Sequence, residues 1–279
     1  MLQHAAVGKE HGTLEKEQGT GRREKKERSR RSNVEGRKPD LLTGRPLLFL
    51  NDGQDLETLG ILATLESLVA GGEVDAPVVV AIPSNRDRLM EYGITGCADS
   101  AGRGAQAGAY ARFVREEVLP VVRVRFGATS EAAETAILGA SMGGLSAFDL
   151  AWRHPDVFGI CGAFSGSFWW REDSSDVRAK QASRIAHRVV HETGRRSLAL
   201  AAVRFWFQAG TEDETEDRDG NGVIDAIQDT TELIDELVKQ GWKTGREMIY
   251  REVAGGRHDQ ATWAGVFAEF ARFAFARQP

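Results

Sequence analysis

The feature that most constrains the fold of this chain is the stretch from Ala136 to Leu145, Ala-Ile-Leu-Gly-Ala-Ser-Met-Gly-Gly-Leu. An apolar run of strand length breaks there into a turn of small residues around Ser141. Apolar residues then resume at helical spacing with Leu145, Phe148 and Trp152. The G-x-S-x-G pattern fits a sharp strand-to-helix turn, in which side chains at Gly139 and Gly143 would collide with neighbouring backbone. Such a turn exposes Ser141 Oγ at the end of a strand. It also aims the amino terminus of the following helix at any negative charge that develops beside it.

Around this turn, buried-strand and amphipathic-helix patterns alternate. Residues 46–50 and 78–82 are continuous apolar runs, as expected of strands covered on both faces. Between them Leu59, Leu62, Leu65 and Val69 recur at helical spacing before Gly71-Gly72. A helix carrying Tyr110, Phe113, Val114 and Val118 follows a loop rich in Gly and Ala, and further strands are expected at 158–164, 203–207 and 248–250. Residues 176–192 read as helix, with His187 and His191 on a polar surface. Another helix is expected to open at Asp229 through a D-x-x-E capping pattern and run to Gly241. The last helix carries Trp263, Val266, Phe267, Phe270 and Phe273. This alternation predicts an α/β fold, with a mainly parallel sheet flanked by helices on both faces.

The 279 residues divide unevenly in charge. Residues 1–40 hold 11 Lys/Arg against 7 Asp/Glu, while the remainder holds 25 against 34. Residues 1–44 show no hydrophobic period and read as a polar, disordered or degenerate segment ahead of one domain over 45–279. The cluster from Arg22 to Arg31 is interrupted by glutamates and lacks aromatics, so nucleic acid is not the expected partner. No run is apolar and long enough to span a bilayer and no secretion signal is evident, which leaves a cytoplasmic location as the default expectation. Cys97 and Cys161 fall in different elements and are read as free thiols.

A serine hydroxyl becomes a competent nucleophile when a histidine removes its proton and a carboxylate fixes the histidine tautomer. Ser141 has one well-placed histidine candidate, His258, in a glycine-flanked loop after the last strand. Asp213 is the acid of choice, a few residues past a strand end, with Glu212 and Glu214 as rivals. The backbone amides of Met142 and Gln54 are the expected oxyanion donors. Trp169, Trp170 and Trp263 are candidate pocket walls, and core packing explains each equally well. No cofactor is required for this chemistry. Asp217, Asp219, Asn221, Val223 and Asp225 nevertheless fit the first positions of a calcium loop, although position twelve is Gln228 instead of glutamate.

Taken together, these residues resemble the α/β-hydrolase esterase family that includes enterochelin esterases, S-formylglutathione hydrolase and the antigen 85 mycolyltransferases. The likeness spans roughly residues 45–275 and is strongest to the enterochelin-esterase branch. It is carried by Leu48-Phe49-Leu50-Asn51-Asp52-Gly53-Gln54, Arg86 with Glu91-Tyr92, Phe113 with Glu117-Val118-Leu119-Pro120, Gly139-Ala140-Ser141-Met142-Gly143-Gly144, His154-Pro155-Asp156-Val157-Phe158-Gly159, Ser165-Gly166-Ser167-Phe168-Trp169-Trp170 and Gly255-Gly256-Arg257-His258. The resemblance implies hydrolysis of a small-molecule carboxylic ester through an acyl-enzyme, with Ser141 as nucleophile, Asp213 as acid and His258 as base. Acyl transfer to an alcohol, or an inactive binding module on the same fold, are the alternatives. Members of the family usually carry strands ahead of the first strand recognised here, and residues 12–44 read as polar and charged instead.

Overall fold

The computed structural model describes residues 4–6, 44–195 and 197–277. It contains a seven-stranded sheet in which every strand pairing is parallel. Its strands are β1 (His4–Ala6), β2 (Leu47–Asn51), β3 (Val78–Ile82), β4 (Thr135–Ala140), β5 (Ile160–Phe164), β6 (Arg204–Glu212) and β7 (Met248–Arg257), arranged in the order β1-β3-β2-β4-β5-β6-β7. β1 pairs with β3 at the sheet edge, one short element within a stretch whose sequence pattern predicts none. Backbone pairing needs no hydrophobic period, so a three-residue edge strand leaves no mark in the pattern. The basic cluster at 22–31 and residues 12–43 lie outside the described residues.

Two apolar cores form because successive strand residues face opposite sides. Leu47, Phe49, Val80, Ile137, Phe205 and Phe207 belong to one, and Leu48, Leu50, Val79, Leu138 and Trp206 to the other. The principal helices are α1 (Ile61–Ala70), α2 (Met142–Arg153), α3 (Ile185–Thr193), α4 (Asp225–Lys239) and α5 (Gln260–Phe275). Leu65 of α1 and Phe270 of α5 join the second core, while Phe148 of α2, Val190 of α3 and Leu233 of α4 join the first. Phe148 anchors that first face, its ring lying within 5.6–6.4 Å of Trp152, Phe168, Phe205 and Phe207.

Two elements differ from expectation. Residues 176–192 form two helices, Val177–Ala182 and α3, with His187 of α3 buried against Asp229 rather than on a polar surface. The helix expected to open at Asp229 starts at Asp225, so Asp229 sits inside α4 instead of capping it. Its carboxylate is buried among Arg171, Arg184 and Arg218 at 2.7–3.1 Å. A carboxylate with three cationic partners satisfies its charge without an end-of-helix position. Among the described residues, no helix is long and apolar enough to cross a membrane.

Candidate active site

From β2 the chain turns toward β3, and from β4 it turns the opposite way toward β5. The crevice past the carboxyl ends of β2 and β4 is therefore the point where the winding reverses, the usual ligand position in open parallel sheets. Among the described residues, three non-glycine residues have positive φ: Asp52, Ser141 and Ser165, at 55°, 56° and 44°. They follow β2, β4 and β5 respectively, three strands that are adjacent in the sheet. Backbone strain of this kind costs on the order of 1–3 kcal/mol per residue and collects at functional sites.

Ser141 adopts φ 56°, ψ −127° between β4 and α2. A Cβ at Gly139 would lie 2.2 Å from Gly143 O, which explains why the turn requires glycine there. Gly143 is tight for a different reason than the sequence suggests, since its Cβ would meet the Asp52 carboxylate at 2.8 Å. Asn51 ties the neighbouring strand to the turn by donating from Nδ2 to Gly143 O at 2.8 Å, and it accepts from the Tyr110 hydroxyl. Asp52 is held by a bidentate Arg88 at 2.7 and 2.8 Å, and its N–H donates to Tyr92 Oη. Arg88, rather than the exposed Arg86, thus secures the loop that carries Gln54. The Gln54 side chain bridges to Ser84, accepting from its N–H at 3.0 Å. Gln54 lies in the single turn Gly53–Asp55, and Met142 opens α2; amides at helix starts lack intrahelical partners.

On the other side of Ser141, β6 and β7 run longer than their apolar cores predict. They overshoot the sheet together, packed so tightly that a Cβ at Gly210 would meet Gly256 O at 2.2 Å. This overshoot brings Asp213 and His258 side by side, with Asp213 Oδ1 3.7 Å from His258 Nδ1. The acid is sealed from solvent, whereas the histidine side chain is 41% exposed. Asp213 Oδ2 accepts from Gly210 N at 3.2 Å, and Oδ1 accepts from Ser165 Oγ at 3.0 Å. Asp259, beside the histidine, caps α5 by accepting from Thr262 N. The rival acids point elsewhere: Glu212 pairs with Arg257, and Glu214 turns into a cavity of about 360 Å³ with Trp169, Arg171 and Lys180. Burial pushes the Glu214 carboxyl up to about 7.

Of the three tryptophans, Trp169 is half-buried under Arg103 and lines that cavity. Trp170 is fully buried and donates to Cys97 O, so it packs the core instead of walling an open pocket. Trp263 is buried as well, with Nε1 on Ser165 Oγ at 2.9 Å and its ring 5.3 Å edge-on from His258. The role of Ser165 is not legible from its motif, because nothing in Ser-Gly-Ser-Phe-Trp-Trp singles out its first hydroxyl.

In the acidic loop, Asp217 accepts from the Asn221 and Gly222 amides, Asp219 accepts from Asn221 N and Gln228 Nε2, and Asn221 Oδ1 takes Val223 N. Asp225 is turned away onto Arg218. Among the described residues, no three His, Cys, Asp or Glu side chains are grouped as a metal ion would need.

A family model described as "Putative esterase" matches residues 30–273. The chain is 26% identical over 164 residues to the iron(III) enterobactin esterase of Escherichia coli, an alignment covering 57% of this chain and 38% of that protein. It is 25% identical over 166 residues to a Bacillus subtilis protein, YbbA, covering 56% of this chain and 65% of that one. The crystal structure of the enterobactin esterase from Shigella flexneri shares the fold, with a TM-score of 0.63 at 23% identity over 84% of this chain and 52% of that one. These alignments span from well under half to just under two thirds of the relatives' own lengths.

Proposed function

The chain belongs to this esterase family, and from that premise we propose that it hydrolyses a small-molecule carboxylic ester through an acyl-enzyme. Ser141 Oγ attacks the ester carbonyl while His258 accepts its proton. Asp213 holds the imidazole in the required tautomer and stabilises the imidazolium. The Met142 and Gln54 amides receive the negative charge of the tetrahedral intermediate, and His258 then returns the proton to the leaving alcohol. Water, activated by the same histidine, releases the acid. The observation that carries this reading is the strained Ser141 turn in the sheet crevice, with its main chain bonded to Phe164 and Ser167, which flank Ser165, the residue that touches Asp213. Ser141 N donates to Phe164 O at 2.9 Å, and Ser167 N donates to Ser141 O at 3.1 Å. The exposure of His258 supports a base that meets substrate, and the donors Ser165 Oγ and Gly210 N support a carboxylate held in place at Asp213.

Relatives named for enterobactin make enterobactin the first ester to assay. The decisive experiment treats the protein with a fluorophosphonate and maps the adduct by mass spectrometry, alongside steady-state turnover of 4-nitrophenyl acetate. Labelling at Ser141 and complete loss of turnover in Ser141→Ala are expected. An adduct on another serine, or an active Ser141→Ala, would refute the reading. Product analysis with added alcohols distinguishes hydrolysis, in which the free acid accumulates, from acyl transfer.

A further inference from the structure

We infer that Ser165 is a positioning residue for the Asp213–His258 pair, linked to Trp263 in a relay that holds the carboxylate and the imidazole in register. This inference rests on the reaction proposed above. Ser165 follows β5 with φ 44°, a conformation that a non-glycine residue adopts only when its surroundings enforce it. Its N–H donates to Gln208 O at 2.8 Å, which fixes the residue on β6. Its two chain neighbours are Phe164, which bonds the main chain of Ser141, and Gly166, which is followed by the second bonding partner, Ser167. The strain therefore sits between the serine turn and the acid-bearing strand.

The direction of the hydroxyl follows from its partners. An indole N–H can only donate, so Trp263 Nε1 at 2.9 Å occupies a lone pair of Ser165 Oγ. The serine proton is then directed to an acceptor, and Asp213 Oδ1 at 3.0 Å is closer than Gln208 Oε1 at 3.4 Å. Asp213 Oδ1 is also the oxygen that faces His258 Nδ1. The other carboxylate oxygen is taken by Gly210 N, so the two donors leave one orientation in which Oδ1 can serve the imidazole. Trp263 closes the arrangement from the opposite end, with its ring edge-on to His258. Ser165, Asp213, Gln208 and Trp263 are all buried, and water is not available to replace any of these bonds. No proton leaves Ser165 during the reaction. Its hydroxyl shares the charge of Asp213 and stops the carboxylate from rotating as the imidazolium forms.

The test compares Ser165→Ala and Trp263→Phe with wild type, using 4-nitrophenyl acetate turnover normalised to the fraction of protein that a fluorophosphonate labels. Ser165→Ala is expected to lower kcat about 10- to 100-fold, the size of one lost hydrogen bond to a charged group, with KM within about twofold. Asp213, relieved of one donor, offers more negative charge to the imidazole, so the acidic limb of kcat/KM against pH should move to higher pH. Trp263→Phe frees the hydroxyl to rotate and should move the limb the same way. The double variant should be no slower than Ser165→Ala, since both changes break one relay. If Ser165→Ala does not fold, Trp263→Phe and its pH profile carry the test alone. Normal kcat per labelled site together with an unmoved pH profile would overturn the inference, whatever the variants do to melting temperature. Absence of Ser141 labelling in wild type would instead overturn the reaction itself, so the two failures are distinguishable.

Discussion

His187 should make the stability of this protein fall as the solution is acidified from neutrality. It lies on α3 with Nε2 2.9 Å from the Asp229 carbonyl, to which the neutral ring donates. Burial, reinforced by the nearby Arg184 and Arg218 guanidinium groups, lowers its pKa to about 3, while the Asp229 carbonyl and Glu232 pull weakly the other way. The unfolded chain titrates near the ordinary value of 6.5. Between these two values the unfolded chain binds a proton that the folded chain refuses, so stability is fully present above pH 6.5 and is lost as pH falls toward 3. At pH 5 the loss from this one group is about 2 kcal/mol, which for a chain of this size lowers Tm by about 4–8 °C. His187→Gln retains a donor for the carbonyl and removes the titration. Urea unfolding followed by tryptophan fluorescence at pH 7, 6 and 5 should therefore show the wild type losing about 2 kcal/mol more than the variant over that range. A difference between the two proteins that stays constant with pH, or an NMR titration of His187 near 6.5, would refute the reasoning.

Asp213→Asn should lower kcat by on the order of 10²–10⁴ through the wrong histidine tautomer, with Glu212→Gln and Glu214→Gln close to wild type; a crippled Glu214→Gln beside an active Asp213→Asn would reassign the acid. Asp229→Asn should cost about 3–5 kcal/mol in urea unfolding, because it leaves three buried guanidinium groups short of their shared anion; a loss under about 1 kcal/mol would show that Asp225 and Glu232 suffice to balance them.

Much of the architecture is legible in the sequence because it depends on local patterns. Runs such as Val78 to Ile82 are apolar at every position only when both faces of a strand are covered, and that alone predicts a parallel sheet between helical layers. The Ser141 turn is equally local, since glycine at 139 is demanded by contacts within a few residues of chain. His258 is singled out in the sequence by elimination among few histidines, and Asp213 is preferred for its place after a strand, with Glu212 and Glu214 left as rivals.

Tertiary structure decides what depends on residues far apart in the chain. Which of the three carboxylates lies beside His258 follows from the shared overshoot of β6 and β7, which buries the Asp213 side chain, leaves Glu212 on Arg257 and turns Glu214 into a cavity. Trp170 and Trp263 look alike in sequence, yet one packs beneath a loop and the other reaches Ser165 across 98 positions. Asp229 has the pattern of a helix cap and becomes the buried anion of three arginines contributed by separate segments. Ser165 is the clearest case. Its hydroxyl acquires meaning only from an indole and a carboxylate that approach it from two other elements, and hydrogen bonds formed over such distances leave no periodic trace in the sequence that encodes them.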